Sequence, residues 1–408
     1  MRQRGTVGID LGTETIKAVA LGIEGGEKEP RVLGVGAAIS RGMRKGVILE
    51  PQEAASSIKE ALDSLLKSTG IVPPNIYVGL GGLGLSFQKS KGIVAISRAD
   101  GQVTKEDQKR AIETSETNLT RIQNKEILHR VPISYRIDNE VPTHDAVGLS
   151  GIKLEAEVLF ITSQLQHVKS VIKALEEAGV ETEELVAGPL ALAETALAKR
   201  DKEVGAMLVD IGSATTSVVL FEEGLPYSLE VLPFGSSNIT HDIAMGFRID
   251  LEEAEKIKLN YGFGGETSEA TSQPKKSSRH SPKDDLVYGQ YSKKELAEII
   301  EARLSDIFEL IEKHLKKVER VGLLPAGVFI VGGGANLPGI ENFAKEYLKL
   351  AAKVVEPDAL DGFKEKVKNP AWAGALGIAQ WALEMESGSP LLRGRSGSFV
   401  KWLRAFLP

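Results

Sequence analysis

A segment that occurs twice constrains this chain more than any other feature. Residues 9–19 read IDLGTETIKAV and residues 209–219 read VDIGSATTSVV. Asp10 matches Asp210, Gly12 matches Gly212, Thr13 matches Ser213 and Thr15 matches Thr215, each pair 200 positions apart. Each copy has an apolar strand, an Asp-apolar-Gly-Ser/Thr turn and a second β-branched strand, a pattern that predicts a hairpin with glycine at its tip. At this spacing, a chain of 408 residues is expected to form two α/β halves rather than one core.

The residue types suit a polyphosphate. Glycine lets the backbone come close to a phosphate because no Cβ intervenes. Turn N–H groups and Ser/Thr hydroxyls then donate to phosphate oxygens. The aspartates repel phosphate unless a cation lies between, so Asp10 and Asp210 are expected to face a Mg²⁺ ion through its waters. Glu14 and Lys17 flank the first tip. Lys17 can bring positive charge to the phosphates, although an outward-facing strand lysine has the same sequence pattern. A third element is the apolar run 328–331 followed by Gly332, Gly333, Gly334, Ala335 and Asn336. Its bare glycines suit a flat ring or sugar lying against the backbone.

Composition excludes several alternatives. The chain has no cysteine, so disulfides, thiolate metal sites and cysteine nucleophiles are ruled out. Its 50 Lys and Arg against 56 Asp and Glu give a net charge of -6, which argues against a nucleic-acid binder. The six histidines form no metal-ligand spacing. The first residues, MRQRGTVGID, lack the apolar core of a signal peptide, and no run of about 20 apolar residues occurs. The expected compartment is therefore cytoplasmic. Residues 78–84, VGLGGLG, contain a GxGxxG pattern, but LSFQ follows as an alternating strand. A dinucleotide fingerprint needs a helix at that point, so this reading is set aside.

The two hairpins and the glycine run together resemble the actin/Hsp70/sugar-kinase superfamily: phosphate loop 1, phosphate loop 2 and adenosine loop, in that order. The match extends over about residues 5–385. The resemblance implies ATP as ligand, with Glu255 and Lys258 on the helix beside ribose and adenine. Small-residue segments 188–193 and 373–379 resemble the crossing helix pair, where small side chains permit close approach.

Organisation narrows the family. Residues 85–162 offer strands near 92–97, 127–137 and 155–162 and a helix at 104–119, enough for an inserted α/β subdomain before a closing helix at 166–178. Residues 264–285 are rich in Ser, Thr, Pro, Lys and Gly and are expected to form a surface loop. An apolar stripe over 291–321 predicts a long amphipathic helix. The chain then runs through a polar segment, 391–398, expected to be a linker. In the last segment Phe399, Trp402, Leu403, Phe406 and Leu407 share one helical face, with Lys401 and Arg404 opposite. That arrangement predicts an interfacial anchor on anionic lipid. Burying five such side chains yields roughly 8–15 kcal/mol. Ordering the segment opposes this at about 1 kcal/mol per residue. A single copy is thus a weak anchor, strengthened when many copies are joined.

Taken together, these features resemble the FtsA family of bacterial division actins over essentially the whole chain. The resemblance implies domain 1 from residues 1–84, 163–195 and 370–390, with 85–162 as its insertion. Domain 2 would comprise 196–229 and 313–369, with 230–312 inserted as the segment that takes the C-terminal tail of FtsZ. It further implies actin-like self-assembly, recruitment of other division proteins and attachment to the cytoplasmic face of the membrane. An adaptor with little or no hydrolysis is expected, because Gly188 precedes Pro189 where efficient relatives carry a water-orienting Glu or Gln. The alternatives are a PilM-like pilus-assembly scaffold and a sugar or carboxylate kinase, the latter without an identifiable catalytic base.

Overall fold

The computed structural model describes residues 4–23, 30–70, 73, 75–120, 122–262, 286–287, 290–357 and 362–386. The expected loop at 264–285, the linker at 391–398 and the amphipathic segment at 399–408 lie outside the described residues.

The chain opens with an antiparallel meander of β1 (Arg4–Leu11), β2 (Thr15–Ile23) and β3 (Arg31–Ile39). A small hairpin of β4 (Met43–Arg44) and β5 (Val47–Ile48) leads into helix α1 (Pro51–Thr69). Proline at its first position sets the entry of α1, and Gly70 closes it in the left-handed region at φ 76°. Strand β6 (Asn75–Leu80) then pairs parallel to β1.

The insertion follows as β7 (Leu85–Ala95), α2 (Lys105–Thr117), β8 (Lys125–Ile137) and β9 (Lys153–Gln164), in sheet order β7-β9-β8. A single short 3-10 turn, Gly82–Gly84, separates β6 from β7, so the GxGxxG run does join two strands. Thr104 caps α2 by accepting from the Asp107 N–H, and Asp107 returns the bond to Thr104 N–H at 2.9 Å. Pro132 is tolerated in β8 because that strand is an edge, with its register broken at Pro132/Ser134.

Helix α3 (Leu165–Glu177), strand β10 (Glu184–Ala187) and helix α4 (Gly188–Ala196) complete the first half. After α5 (Lys199–Val204), a second meander forms from β11 (Ala206–Ile211), β12 (Thr216–Glu222) and β13 (Leu225–Leu232). Helices α6 (Ser236–Phe247) and α7 (Leu251–Tyr261) come next. A two-stranded ribbon of β14 (Leu286–Val287) and β15 (Tyr291–Ser292) precedes helix α8 (Lys293–Lys317). The sequence pattern predicted a longer helix. Ser292 starts α8 by accepting from Glu295 N–H, and the left-handed Glu319 at φ 58° prevents its continuation. Strand β16 (Gly327–Val331), helix α9 (Ile340–Leu348), strand β17 (Ala352–Val354), the short α10 (Lys364–Val367) and α11 (Ala373–Glu386) finish the described chain.

The two five-stranded sheets have matching topology, β3-β2-β1-β6-β10 and β13-β12-β11-β16-β17, each an antiparallel meander continued by two parallel strands. The fold is thus the duplicated α/β architecture of the actin type, with a subdomain inserted in its first half. Between the sheets, α4 and α11 cross at backbone distance. A Cβ on Gly377 would lie 2.4 Å from the Ala191 carbonyl oxygen, so only glycine permits this approach. On its other face α11 presses on β1, where a Cβ on Gly8 would stand 2.4 Å from Ala379 N.

Candidate functional site: the cleft between two hairpins

Each hairpin turn places its aspartate one residue before the end of the incoming strand, Asp10 in β1 and Asp210 in β11. The glycine that follows is required by contact in the first copy, and in the second a side chain would be tight but not excluded; neither needs a left-handed φ. A Cβ on Gly12 would sit 2.5 Å from the Thr15 carbonyl oxygen, and one on Gly212 would sit 3.0 Å from that of Thr215. In the second turn Gly212 N–H donates to that same Thr215 carbonyl at 2.9 Å.

The two tips meet at one cleft of about 320 Å³. It brings together Asp10, Gly12, Thr13, Glu14, Thr15 and Lys17 from the first hairpin and Asp210, Gly212, Ser213 and Thr215 from the second. Glu255, Gly332, Gly333 and Asn336 line it as well. Gly332 takes φ 87°, and a Cβ there would stand 2.3 Å from Asp210 Oδ1. The glycine run therefore also makes room for the second aspartate.

Two expected residues stand elsewhere. Gly334 is buried against Ile211, where its Cβ would meet Ile211 Cγ2 at 2.4 Å, and it does not line the cleft. Lys258 is buried beneath the N-terminus of α6. Its ammonium donates to Glu255 Oε2 at 2.6 Å, Thr240 Oγ1 at 2.9 Å and the Ser236 carbonyl at 3.4 Å. It lies in an adjoining cavity and fixes Glu255, which reaches both spaces.

Several lining residues escaped sequence reasoning. Gly46 comes from the β4–β5 hairpin, Gly81 and Gly82 from the set-aside glycine run, and Gly374 from the start of α11 against Asp10. Nothing in their spacing marks them, because only the fold carries these separate glycines to the cleft, and of the four Gly46, Gly82 and Gly374 are also tightly packed.

Burial dominates the electrostatics. It pushes the Asp10 carboxyl above its ordinary value, with Lys17 opposing. It pushes Asp210 up to about 7, and the neighbouring Asp10 adds to this while Lys17 opposes. Among the described residues no group of three or more His, Cys, Asp or Glu side chains could hold a metal directly.

Comparison with known proteins places this geometry. Residues 207–377 match the family model of the cell division protein FtsA, and residues 82–162 match that of the SHS2 domain inserted in FtsA, together covering more than half of the chain. The chain belongs to the FtsA family. The FtsA of Borreliella burgdorferi is 29% identical over 390 residues, covering 94% of this chain and 92% of its own length. That of Pseudomonas aeruginosa is 29% identical over 388 residues, covering 93% and 90%. The Escherichia coli K12 FtsA is 27% identical over 419 residues, covering 98% and 97%. Among solved structures, the PilM–PilN type IV pilus biogenesis complex superposes with TM-score 0.66 at 20% identity, over 93% of this chain and 98% of the other. MreB5 of Spiroplasma citri bound to ADP superposes with TM-score 0.52 at 14% identity, over 95% and 99%. These likenesses establish the actin-type fold. The FtsA-specific inserted domain coincides with the β7–β9 subdomain. Among the described residues no helix is long and apolar enough to cross a membrane.

Proposed function

We propose that this chain is an ATP-binding adaptor of cell division that self-assembles and ties the FtsZ ring to the membrane. The observation that carries the nucleotide reading is the convergence of two equivalent Asp-x-Gly-Ser/Thr turns on one cleft, whose wall also includes Gly332, Gly333 and Glu255. The donor chemistry fits a hydrated divalent cation. Two facing carboxylates, both driven by burial toward protonation, are relieved by a hard positive ion. Asp10 and Asp210 would hold Mg²⁺ through water, and the ion would neutralise polyphosphate charge there. Gly12, Thr13, Gly212, Ser213 and Thr215 would donate to the phosphates. Glu255 would accept from the ribose, with adenine against Gly332 and Gly333. ATP turnover is secondary to binding in this reading, since Gly188 and Pro189 line the cleft without a side chain that could orient water.

Membrane attachment rests on the sequence of residues 399–408, and FtsZ-tail binding by residues 230–312 rests on family membership. Membrane attachment is tested by co-sedimentation of the full chain with anionic liposomes and ATP, beside a version ending at Ser398 and a Trp402→Glu variant. Pelleting of the intact chain alone supports the adaptor. Equal behaviour of all three removes the anchor and favours a scaffold of the pilus type, whose fold this chain shares.

A further inference from the structure

The inserted subdomain belongs covalently to the first half, yet it is attached to both halves of the cleft. On the first side the link runs from one side-chain hydroxyl into backbone. Gly46 N–H donates to the Thr13 hydroxyl at the hairpin tip, 2.8 Å away. Lys45 and Gly46 are both left-handed, at φ 50° and 73°. Gly46 lies back to back with Gly82, and a Cβ on it would stand 2.4 Å from Gly82 Cα. The neighbouring Leu83 N–H donates to the Lys45 carbonyl at 3.3 Å. Gly82 opens the turn that becomes β7, so few peptide units separate the phosphate-facing tip from the subdomain's root.

On the second side the link is a seam of side chains. The Tyr227 ring in β13 is approached by Lys89 Nζ from β7, 3.2 Å from its centroid, and by Arg320 Cζ, 4.3 Å away. Arg320 is itself bound to Glu222, with Nη2 to Oε2 at 2.9 Å. Phe87, two residues before Lys89, meets His314 edge-on at 6.2 Å. Below the seam, Leu128, Val131, Leu159 and Ile161 of the subdomain share one apolar cluster with Phe221 and Leu229 of the second half. Burial pushes the Lys89 ammonium below its ordinary value, and Arg320 adds to this while Glu157 and Glu222 oppose.

We propose that the inserted subdomain is mechanically coupled to the nucleotide cleft through the Thr13–Gly46–Gly82 backbone link and the Lys89–Tyr227–Arg320 seam. It rests on the nucleotide reading above. Any change in the separation of the halves must carry the subdomain with it or slide the seam, because the subdomain is fastened on both sides. Tyr227 and Lys89 are thus positioning residues that do not line the cleft. The effect must be reciprocal, since a seam that responds to nucleotide also changes nucleotide affinity.

The test uses the full-length protein, hydrogen exchange with and without ATP–Mg²⁺, and nucleotide affinity. In the unmodified chain, nucleotide is expected to slow exchange in residues 85–95 and 225–232. Tyr227→Leu should abolish that response and shift ATP affinity by roughly 5-fold or more. Lys89→Gln, at a half-buried position, makes the same test should Tyr227→Leu fail to fold. If the unmodified chain binds ATP but those segments do not respond, the coupling is overturned and the nucleotide reading survives. It is equally overturned if the variants lose thermal stability and keep the normal nucleotide response. Failure of the unmodified chain to bind ATP overturns both.

Discussion

Asp10 and Asp210 occupy equivalent positions in two hairpins that share one cleft, but their cross-strand partners differ: Asp10 is opposite Lys17 and Asp210 is opposite Ser217. The duplicated fold is therefore electrostatically unequal. Lys17 opposes the burial effect at both carboxyls, and Asp210, without a basic partner across its own hairpin, is pushed up to about 7.

If these carboxylates serve a cation, their removal acts in opposite directions with and without it. Asp210→Asn should weaken ATP binding about 10-fold or more in Mg²⁺, the scale of losing a charged contact. In EDTA the same variant should bind ATP as well as or better than the unmodified chain, because a repulsive charge is gone. Calorimetric titration in both buffers decides this, and equal weakening in both excludes the cation role.

Adjacent glycines in the loop proposed to hold adenine should behave differently. Gly332→Ala forces a Cβ onto Asp210 Oδ1 in a left-handed conformation, so it should lower both stability and nucleotide binding, the backbone strain alone costing about 1–3 kcal/mol. At Gly333 an added Cβ meets nothing within 4 Å. Gly333→Ala should therefore leave the melting temperature unchanged and reduce only nucleotide affinity. A normal affinity would place the adenine elsewhere.

At the helix crossing, Gly377→Ala gains helix propensity of about 1 kcal/mol but meets the Ala191 carbonyl. Overpacking against backbone should outweigh the gain, with a net loss of about 1–3 kcal/mol read as a lower urea midpoint. Gly246→Ala in α6 is the control. Its Cβ would meet only the end of Ile299, which can turn aside. A midpoint unchanged or raised is expected there.

Two buried histidines set an acid limit. Burial lowers His129, beside Trp381 and accepting the Ala187 N–H at 2.9 Å, to about 4, and His167 likewise to about 4. The unfolded chain binds these protons near 6.5, so it holds more protons than the folded chain between the two values. The stabilisation is complete above about pH 6.5 and is lost as pH falls toward 4, by at most about 3 kcal/mol for each histidine. Asp210 and Glu126, both raised by burial to about 7, act in the opposite sense over the same window, so the histidine contribution is read as the change that His129→Gln makes to unfolding midpoints measured from pH 7.5 to 4.5. The variant should lose less stability toward acid than the unmodified chain, and an unchanged pH profile would assign the dependence to other groups.

Much of this molecule was legible because its signals are local. The hairpins follow from strand–turn–strand runs a few residues long, and β7 from simple alternation after Leu85. The long helix was overextended because its apolar stripe continues through Val318, whereas its ends are set by Ser292 and by the left-handed Glu319. Lys258 was placed beside the ligand because i and i+3 residues share a helix face. Only packing shows that it turns inward beneath α6 and holds Glu255 instead.

The sequence by itself determined that two like halves exist, that each carries a phosphate-type turn with an aspartate, and that a subdomain is inserted in the first. Those are consequences of short-range periodicity and of which side chains a turn admits. Only the tertiary structure decided that Asp10 and Asp210 share one cleft, that Gly46, Gly82 and Gly374 line it, and that Tyr227 meets Lys89. These relationships depend on how separate elements pack, and a glycine required for close approach has the same sequence signature as one required for a turn.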